Sequence, residues 1–479
     1  MSLTKTVSLF AGTTLALTGV AFGSTEANNS LNGDALAQIN ELRAQIADLN
    51  AKNGENWLTE QRAAEIKGLV QDVLADADTR ASFQGGTSNA GYDNGFFIAS
   101  SDGNFRLNIN GGASIRWTYN NRSFATGTGD ETNWGFQSRH ANVMLTGHIV
   151  DPSWKYNVSF AFWDASGDYN GSTFGGEAFL TDWYAMKDFG GWYLKAGQFI
   201  SPFTRERALS DYGLQTLDHT NSSYAFGLGR TQGIEVGCIS DWFRFAGAFS
   251  DGVGPMSPTQ NAGFIPGGAS PSADFAISGR LEGKLAGTWA QFEDDQSWQG
   301  EEWGLLLGLG GYYQSGRNGN ANFNYAGGTE GNEFGFTADA TASFGGFSVT
   351  GAVFYTQADS EWVTGTTGSG DFENYGTFVQ AGFFLTEAFE LVGRYEYGDF
   401  GNLSGTESAN TQSTVTIGGN YYFAKNRCKW QTEISYAFHS MSESIFGIGG
   451  NGWYDDGIDA TGNDEDGQFV FRTGLTVSF

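Results

Sequence analysis

Along most of the chain apolar and polar residues alternate one by one, in successive runs broken by turn-forming residues. The stretch Gly467–Phe479 shows the pattern best. Phe469, Phe471, Thr473, Leu475, Val477 and Phe479 share one parity, while Val470, Arg472, Gly474, Thr476 and Ser478 share the other. That is the period-2 signature of a strand with one greasy and one mostly polar face. Its length suits the ~9–11 residues with which a tilted strand crosses a bilayer. The last strand of a soluble sandwich could look the same, so the rest of the chain must decide.

Sixteen alternating segments can be traced: about 103–119, 133–150, 154–164, 177–189, 191–200, 228–240, 242–250, 273–287, 303–314, 332–344, 347–358, 372–385, 388–400, 411–424, 427–441 and 467–479. Their connections alternate in length. Those after even segments are mostly tiny, such as Asp151-Pro152-Ser153, Asp241 and Thr386-Glu387; 288–302 is the exception. Those after odd segments are long and rich in Gly, Asn and Asp. Short turns on one rim and long loops on the other are the layout of an outer-membrane barrel, whose strand number is even. One parity carries Leu107, Ile109, Val143, Leu145, Val158, Phe160, Val349 and Val353, an apolar exterior. Trp154, Trp192, Trp303, Phe344, Phe347, Phe389 and Phe423 gather beside the short turns, as an interfacial girdle requires. The expected fold is an all-β transmembrane barrel, sixteen-stranded and antiparallel, over 103–479. A terminal aromatic such as Phe479 serves outer-membrane barrels as an assembly signal, and that role is expected here.

The amino-terminal part has a different period. Residues 1–23 place Lys5 before an apolar run and end on Ala21-Phe22-Gly23, which predicts a cleaved secretory signal. In 24–57, Ile39, Leu42, Ile46 and Leu49 are spaced 3, 4, 3, the seam of a short α-helical coiled coil; a single amphipathic helix docked on a globular body fits as well. Residues 58–84 predict a second amphipathic helix capped by Thr59, and 85–102 a linker and barrel entry. Both helices are expected in the periplasm, where they could contact the cell wall.

Composition sharpens this picture. Gly 71, Pro 6 and 15% aromatics fit many strands, tight turns and interfacial rings. A mean hydropathy of −0.31 excludes a helical membrane protein but not a barrel, whose alternate residues face water. The net charge of −28 argues against nucleic acid as a partner. Two cysteines, Cys238 and Cys428, cannot make a disulfide scaffold. Among four histidines no Ser/His/Asp arrangement or metal-ligand spacing is visible, so neither an enzyme nor a cofactor is expected. The acidic loop residues Glu443, Asp455, Asp456, Asp459, Asp464, Glu465 and Asp466 could hold divalent cations.

The inward parity carries Arg106, Arg116, Lys155, Lys195, Arg244, Arg280, Lys284, Arg394, Lys429 and Arg472 against Glu235, Glu282, Asp339, Glu390, Glu396 and Glu433. Such a lining suits a water-filled channel in which lumen charges set selectivity; alternatively the charges pair across strands and leave no preference. The loop 201–227 carries Phe203, Leu209, Leu214 and Leu217, which a solvated loop would not need. It is expected to fold into the barrel and set a constriction, or else to pack over the mouth or against a neighbouring subunit.

Gly91-Tyr92-Asp93-Asn94-Gly95-Phe96-Phe97-Ile98, Lys195-Ala-Gly-Gln-Phe-Ile-Ser-Pro-Phe-Thr-Arg-Glu-Arg207, Gly229-Arg230-Thr-Gln-Gly233 and Arg280-Leu-Glu282 resemble the phosphate-selective porin O/P family over about Gly91–Phe479. The resemblance implies a homotrimer of sixteen-stranded channels in outer-membrane lipid, with an inward third loop passing small solutes and anions. It implies constriction or anion-contact roles for Lys195, Arg205, Arg207, Arg230, Arg244, Arg280 and Arg394. Glu206, Glu235 and the acidic mouth dilute that basic field, which favours a general or mildly anion-preferring pore.

Overall fold

The computed structural model describes residues 36–48, 67, 90–93, 95–122, 132–162, 178–253, 273–316, 331–358, 372–400, 411–439, 441, 452–453 and 467–479. The chain divides into two units, Met1–Thr87 and Ser88–Phe479. In the first, a helix α1 spans 36–48 with Leu36, Ile39, Leu42 and Ile46 exposed along it. The signal segment, the Thr59 helix and the acidic residues from Glu443 to Asp466 lie outside the described residues.

The second unit opens with a short hairpin, β1 (Ala90–Tyr92) and β2 (Phe96–Ala99). Then come β3 (Arg106–Asn121), β4 (Thr132–His148), β5 (Trp154–Phe162), β6 (Ala178–Asp188), β7 (Trp192–Ile200) and β8 (Arg230–Ile239). They continue as β9 (Phe243–Ser250), β10 (Ala273–Ala286), β11 (Gly304–Gly316), β12 (Gly331–Ser343) and β13 (Phe347–Ala358). The series ends with β14 (Phe372–Phe384), β15 (Phe389–Asp399), β16 (Thr411–Tyr422), β17 (Cys428–Ala437) and β18 (Gln468–Ser478). Each strand from β3 to β18 pairs antiparallel with its sequence neighbours, and β18 pairs with β3 from Ser478↔Gly112 to Phe469↔Asn121. The sixteen strands therefore close into a barrel. They match the expected segments to within a few residues, because lipid outside and a polar interior impose the alternation locally.

The outward parity is apolar and exposed: Leu281, Leu307, Leu309, Phe336, Val353, Val379, Leu391 and Ile417. Closure of β18 on β3 joins the two ends of the sheet, so the wall's backbone groups pair strand to strand, which a lipid environment demands. Aromatic rings cluster beside the short turns, as in Phe344 with Phe347 and Tyr421 with Phe423.

Two departures from the simple alternation bear on the lumen and the barrel entry. Between β3 and β4, Gly112 pairs with Asn142 and Ser114 with Arg139, so β4 carries an extra residue at His140, whose φ is 53°. This bulge turns both Arg139 and His140 inward. The second feature is the β1–β2 hairpin, which the sequence pattern places in a linker. β2 pairs with Arg106–Ile109 of β3, along the edge that β18 leaves open below Gly111. Phe96 packs on Phe479 with ring centroids 5.8 Å apart, and Arg106 pairs with Asp93 at 3.0 Å. Gly95 has φ 139°, and a Cβ there would overlap Asn110. Gly95→Val is expected to undock the hairpin while the barrel persists. Amide exchange at Arg106–Ile109 should then accelerate while Gly112–Asn121, paired with β18, stays protected.

Candidate functional site: the lumen and its inner loop

The loop Ser201–Gly229 joins β7 to β8 and enters the lumen. Its middle is built on Asp218, a carboxylate almost fully removed from solvent. Arg116 of β3 and Arg472 of β18 both reach its Oδ2, Arg472 at 3.1 Å. Arg139 Nη2 lies 3.1 Å and His140 Nε2 3.2 Å from Oδ1. Burial would push this carboxyl up, but Arg116 and Arg139 outweigh it and hold Asp218 well below the usual carboxylate range.

Around Asp218 the loop backbone is held by wall side chains. Lys429 Nζ donates to the Leu214 carbonyl at 2.6 Å, and Asn420 Nδ2 to that of Gln215 at 2.7 Å. Arg394 donates to the Asp218 carbonyl at 3.3 Å and to Thr216 Oγ1. Glu433 accepts from Leu217 N–H and Glu396 from Ser222 N–H, both at 3.1 Å. A loop inside a barrel has no strand partner for its own N–H and C=O groups, so inward polar side chains supply them. Locally, Thr220 caps the short helix α3 (Asn221–Phe226) by accepting from Ser223 N–H. Phe226 then stacks between Phe354 and Phe400 at 5.5 and 4.9 Å, while Phe203 meets Tyr312 edge-on at 5.0 Å.

The long connection 288–302 also turns inward, from the short-turn rim, and braces the loop from below. Arg205, in the single helical turn α2 (Arg205–Ala208), pairs with Asp295 at 3.3 Å and donates to the Phe292 and Asp294 carbonyls at 3.0 Å. Gln296 Nε2 donates to the Leu214 carbonyl at 3.1 Å, and Asp295 N–H to that of Gly213 at 3.0 Å.

Among the described residues, the lumen is thus filled on one side. Inward residues of β10–β18 and β3, such as Ser278, Gln314, Thr341, Gln380, Asn420 and Arg116, are buried; Gln380, Asn420 and Arg116 lie directly under the loop or its brace, and Gln314 under Val253. Those of β4–β7, such as Asn142, Met144, Asn157, Tyr184 and Lys195, keep partial exposure. This open wall carries paired charges. Lys155 meets Asp188 at 3.2 Å with side chains 46% and 38% exposed. Facing it, the loop presents Arg207, Ala208, Leu209, Ser210 and Asp211, none of them fully buried.

The basic residues singled out in the sequence divide into two groups. Arg205, Arg280 and Arg394 are buried and hold structure; Arg280 grips Asp339 with two bonds of 2.7 and 2.8 Å and donates to the Phe203 carbonyl at 3.0 Å. Lys195, Arg207, Arg230 and Arg244 are closer to solvent. Lys195 pairs with Glu235 at 2.7 Å, Arg230 with Asp182 at 2.8 Å, and Arg244 with Glu282. Arg207 lies over the Tyr224 ring at 5.0 Å. Sequence reasoning missed Arg139 and His140, which are invisible to any regular period because the bulge reorients them. Cys238 and Cys428 are both free thiols. Among the described residues no group of three His, Cys, Asp or Glu side chains is placed to hold a metal ion.

A closed sixteen-stranded wall, apolar outside, with a long loop folded against one half of its interior, defines an outer-membrane β-barrel of porin architecture. No protein-family model and no curated protein matches the sequence. Among solved structures, the chain is similar to an anion-selective porin from Comamonas acidovorans, with 14% identity, 78% of this chain and 99% of that one covered, and a TM-score of 0.52. The outer membrane channel DcaP of Acinetobacter baumannii also aligns, at 12% identity over 80% of this chain and 99% of that one, with a TM-score of 0.46.

Proposed function

We propose that this protein is an outer-membrane porin through which small hydrophilic solutes and ions diffuse along the open wall of β4–β7. The observation that carries this reading is the one-sided filling of the lumen: the loop and its brace occlude the β10–β18 half, while charged side chains on the other half keep contact with solvent. The open wall pairs most of its bases with acids, which supports a general pore with mild anion preference rather than strict phosphate selectivity. The similar barrel from Comamonas acidovorans is an anion-selective porin, in line with that preference. The resemblance to the phosphate-selective porin O/P family supports a homotrimer; Phe479 as an assembly signal and a periplasmic place for α1 are part of the same reading and rest on the sequence pattern. A structural anchor tied to the cell wall through the amino-terminal helices is the rival reading.

Planar-bilayer recording separates the two. A porin gives stable ohmic steps, whereas an anchor gives none. Lys155→Ala with Lys195→Ala removes two positive charges from the open wall and leaves Asp188 and Glu235 without these partners. The reversal potential in a salt gradient should move towards cations, the permeability ratio changing on the order of twofold to fivefold. That is the scale set by ~1 kcal/mol between unit charges 4 Å apart in water. An unchanged reversal potential would remove the β4–β7 wall from the conduction path.

A further inference from the structure

Five side chains form a row of alternating acids and imidazoles across the inner loop. His140 Nε2 lies 3.2 Å from Asp218 Oδ1, and its Nδ1 3.3 Å from Asp211 Oδ2. Asp211 Oδ1 lies 2.9 Å from His219 Nε2, and His219 Nδ1 lies 3.8 Å from Glu206 Oε1. We propose that the row Asp218–His140–Asp211–His219–Glu206 is a proton-operated clamp that fixes the tip of the inner loop and lets it go when the imidazoles lose their protons. The proposal rests on the porin reading and adds a regulatory property to the same loop.

A neutral imidazole has one N–H and one lone pair, whereas only the cation presents two N–H donors. His140 has a carboxylate within reach of each nitrogen, so a neutral ring would aim a lone pair at one of them and the ring matches its surroundings as a cation. His219 meets Asp211 through Nε2 at 2.9 Å, while its Nδ1 stands 3.8 Å from Glu206, an ion-pair distance and not a hydrogen bond.

The neighbouring charges are unevenly placed. Asp218 has Arg116, Arg139 and Arg472 and does not depend on His140. Glu206 accepts from Thr220 N–H and Thr220 Oγ1, both at 2.6 Å, and from Ser223 Oγ. Arg394 and Glu396 of β15 and Glu433 of β17 engage other parts of the loop, and Arg207 rests on Tyr224, whose ring meets His219 edge-on at 5.9 Å. Asp211 differs from the rest: among the described residues its ion-pair partners are the two imidazoles alone. It also sits at the end of the loop's exposed tip, 207–211, next to the open wall. Discharging the rings therefore frees the tip first, while 214–226 stays anchored.

The direction of the pH response follows. Burial disfavours the charged form of His219, but Asp211 and Glu206 outweigh it and raise its pKa above the ordinary imidazole value. A pKa raised on folding adds stability that is complete below the unfolded value, ~6.5, and is lost as pH rises through the folded one. The clamp is closed in mild acid and opens towards alkaline pH.

The test uses the full-length protein in planar bilayers at pH 6 and pH 9. The wild type should be quiet at pH 6 and noisy at pH 9, the open-channel current variance rising severalfold. His219→Gln and His140→Gln should be noisy at both values. Equal noise at both pH values in the wild type, or pH dependence retained in both variants, overturns the clamp. Absence of any conductance at pH 6 would overturn the porin reading instead. In that event ¹⁵N imidazole NMR in detergent micelles still decides the clamp: at about pH 6.5, the ordinary imidazole value, more than half of His219 should carry two protonated ring nitrogens, and a mostly neutral ring there refutes it.

Discussion

Asp218→Asn is expected to loosen the inner loop more than any other single polar substitution. The change keeps the side chain's shape but leaves Arg116, Arg139 and Arg472 facing a neutral amide. Arg116 and Arg472 have side chains only 1% and 5% exposed, so water cannot replace the lost charge. Removing one partner of a buried ion pair costs about 3–5 kcal/mol, because the remaining charge stays desolvated. Arg472 keeps Glu433 at 2.6 Å and Arg116 keeps Gln137 at 2.9 Å, which places the expected cost in the lower part of that range. The cost falls on the attachment of the loop rather than on the hydrogen-bonded wall. The barrel should still fold and run as a compact band in unheated detergent gels, with its unfolding temperature lowered. Single-channel conductance should increase and fluctuate. Wild-type conductance and stability in the variant would show that Asp218 does not hold the loop.

Phe226→Ala should release the other end of the same loop by a different force. The ring is 3% exposed and belongs to a cluster with Phe354, Phe378 and Phe400. Deleting a buried phenylalanine side chain costs about 3–5 kcal/mol, part of it for the cavity left behind. No charge changes, so the effect should be insensitive to salt and pH. The wall offers a second route to the same end. Gly376 of β14 lies directly beneath the ring, and a Cβ there would overlap it. Gly376→Leu should therefore displace Phe226 without altering the loop's own sequence. The two variants should share a phenotype of raised conductance and earlier thermal unfolding; a normal Gly376→Leu protein would mean that the stack does not anchor α3.

The pairings that hold the inner loop are the part of this protein least open to pattern reading. Asp218 meets partners from β3, β4 and β18, far apart in the chain, and nothing local marks it out from Asp211 or from any other loop aspartate. Arg205 illustrates the converse. Its neighbourhood, Phe203-Thr204-Arg205-Glu206-Arg207, reads as a basic constriction, but the fold turns Arg205 onto Asp295 and the carbonyls of the 288–302 brace. That brace is visible in the sequence only as an oddly long connection on the short-turn rim.

By itself the sequence determined the wall: sixteen strands, their general facing, and the short and long rims; it marked the loop after β7 as unusual through Phe203, Leu209, Leu214 and Leu217, of which all but the part-exposed Leu209 are buried, but left open whether that loop enters the lumen. These are legible because lipid on one side and a polar interior on the other act on each residue locally, through a period of two. Only the tertiary structure decided which half of the lumen is filled, which charges are spent on holding the loop, and that Arg139 and His140 both point inward. Barrel closure brings together groups with no fixed spacing along the chain, and a bulge of one residue reverses the facing of everything beyond it.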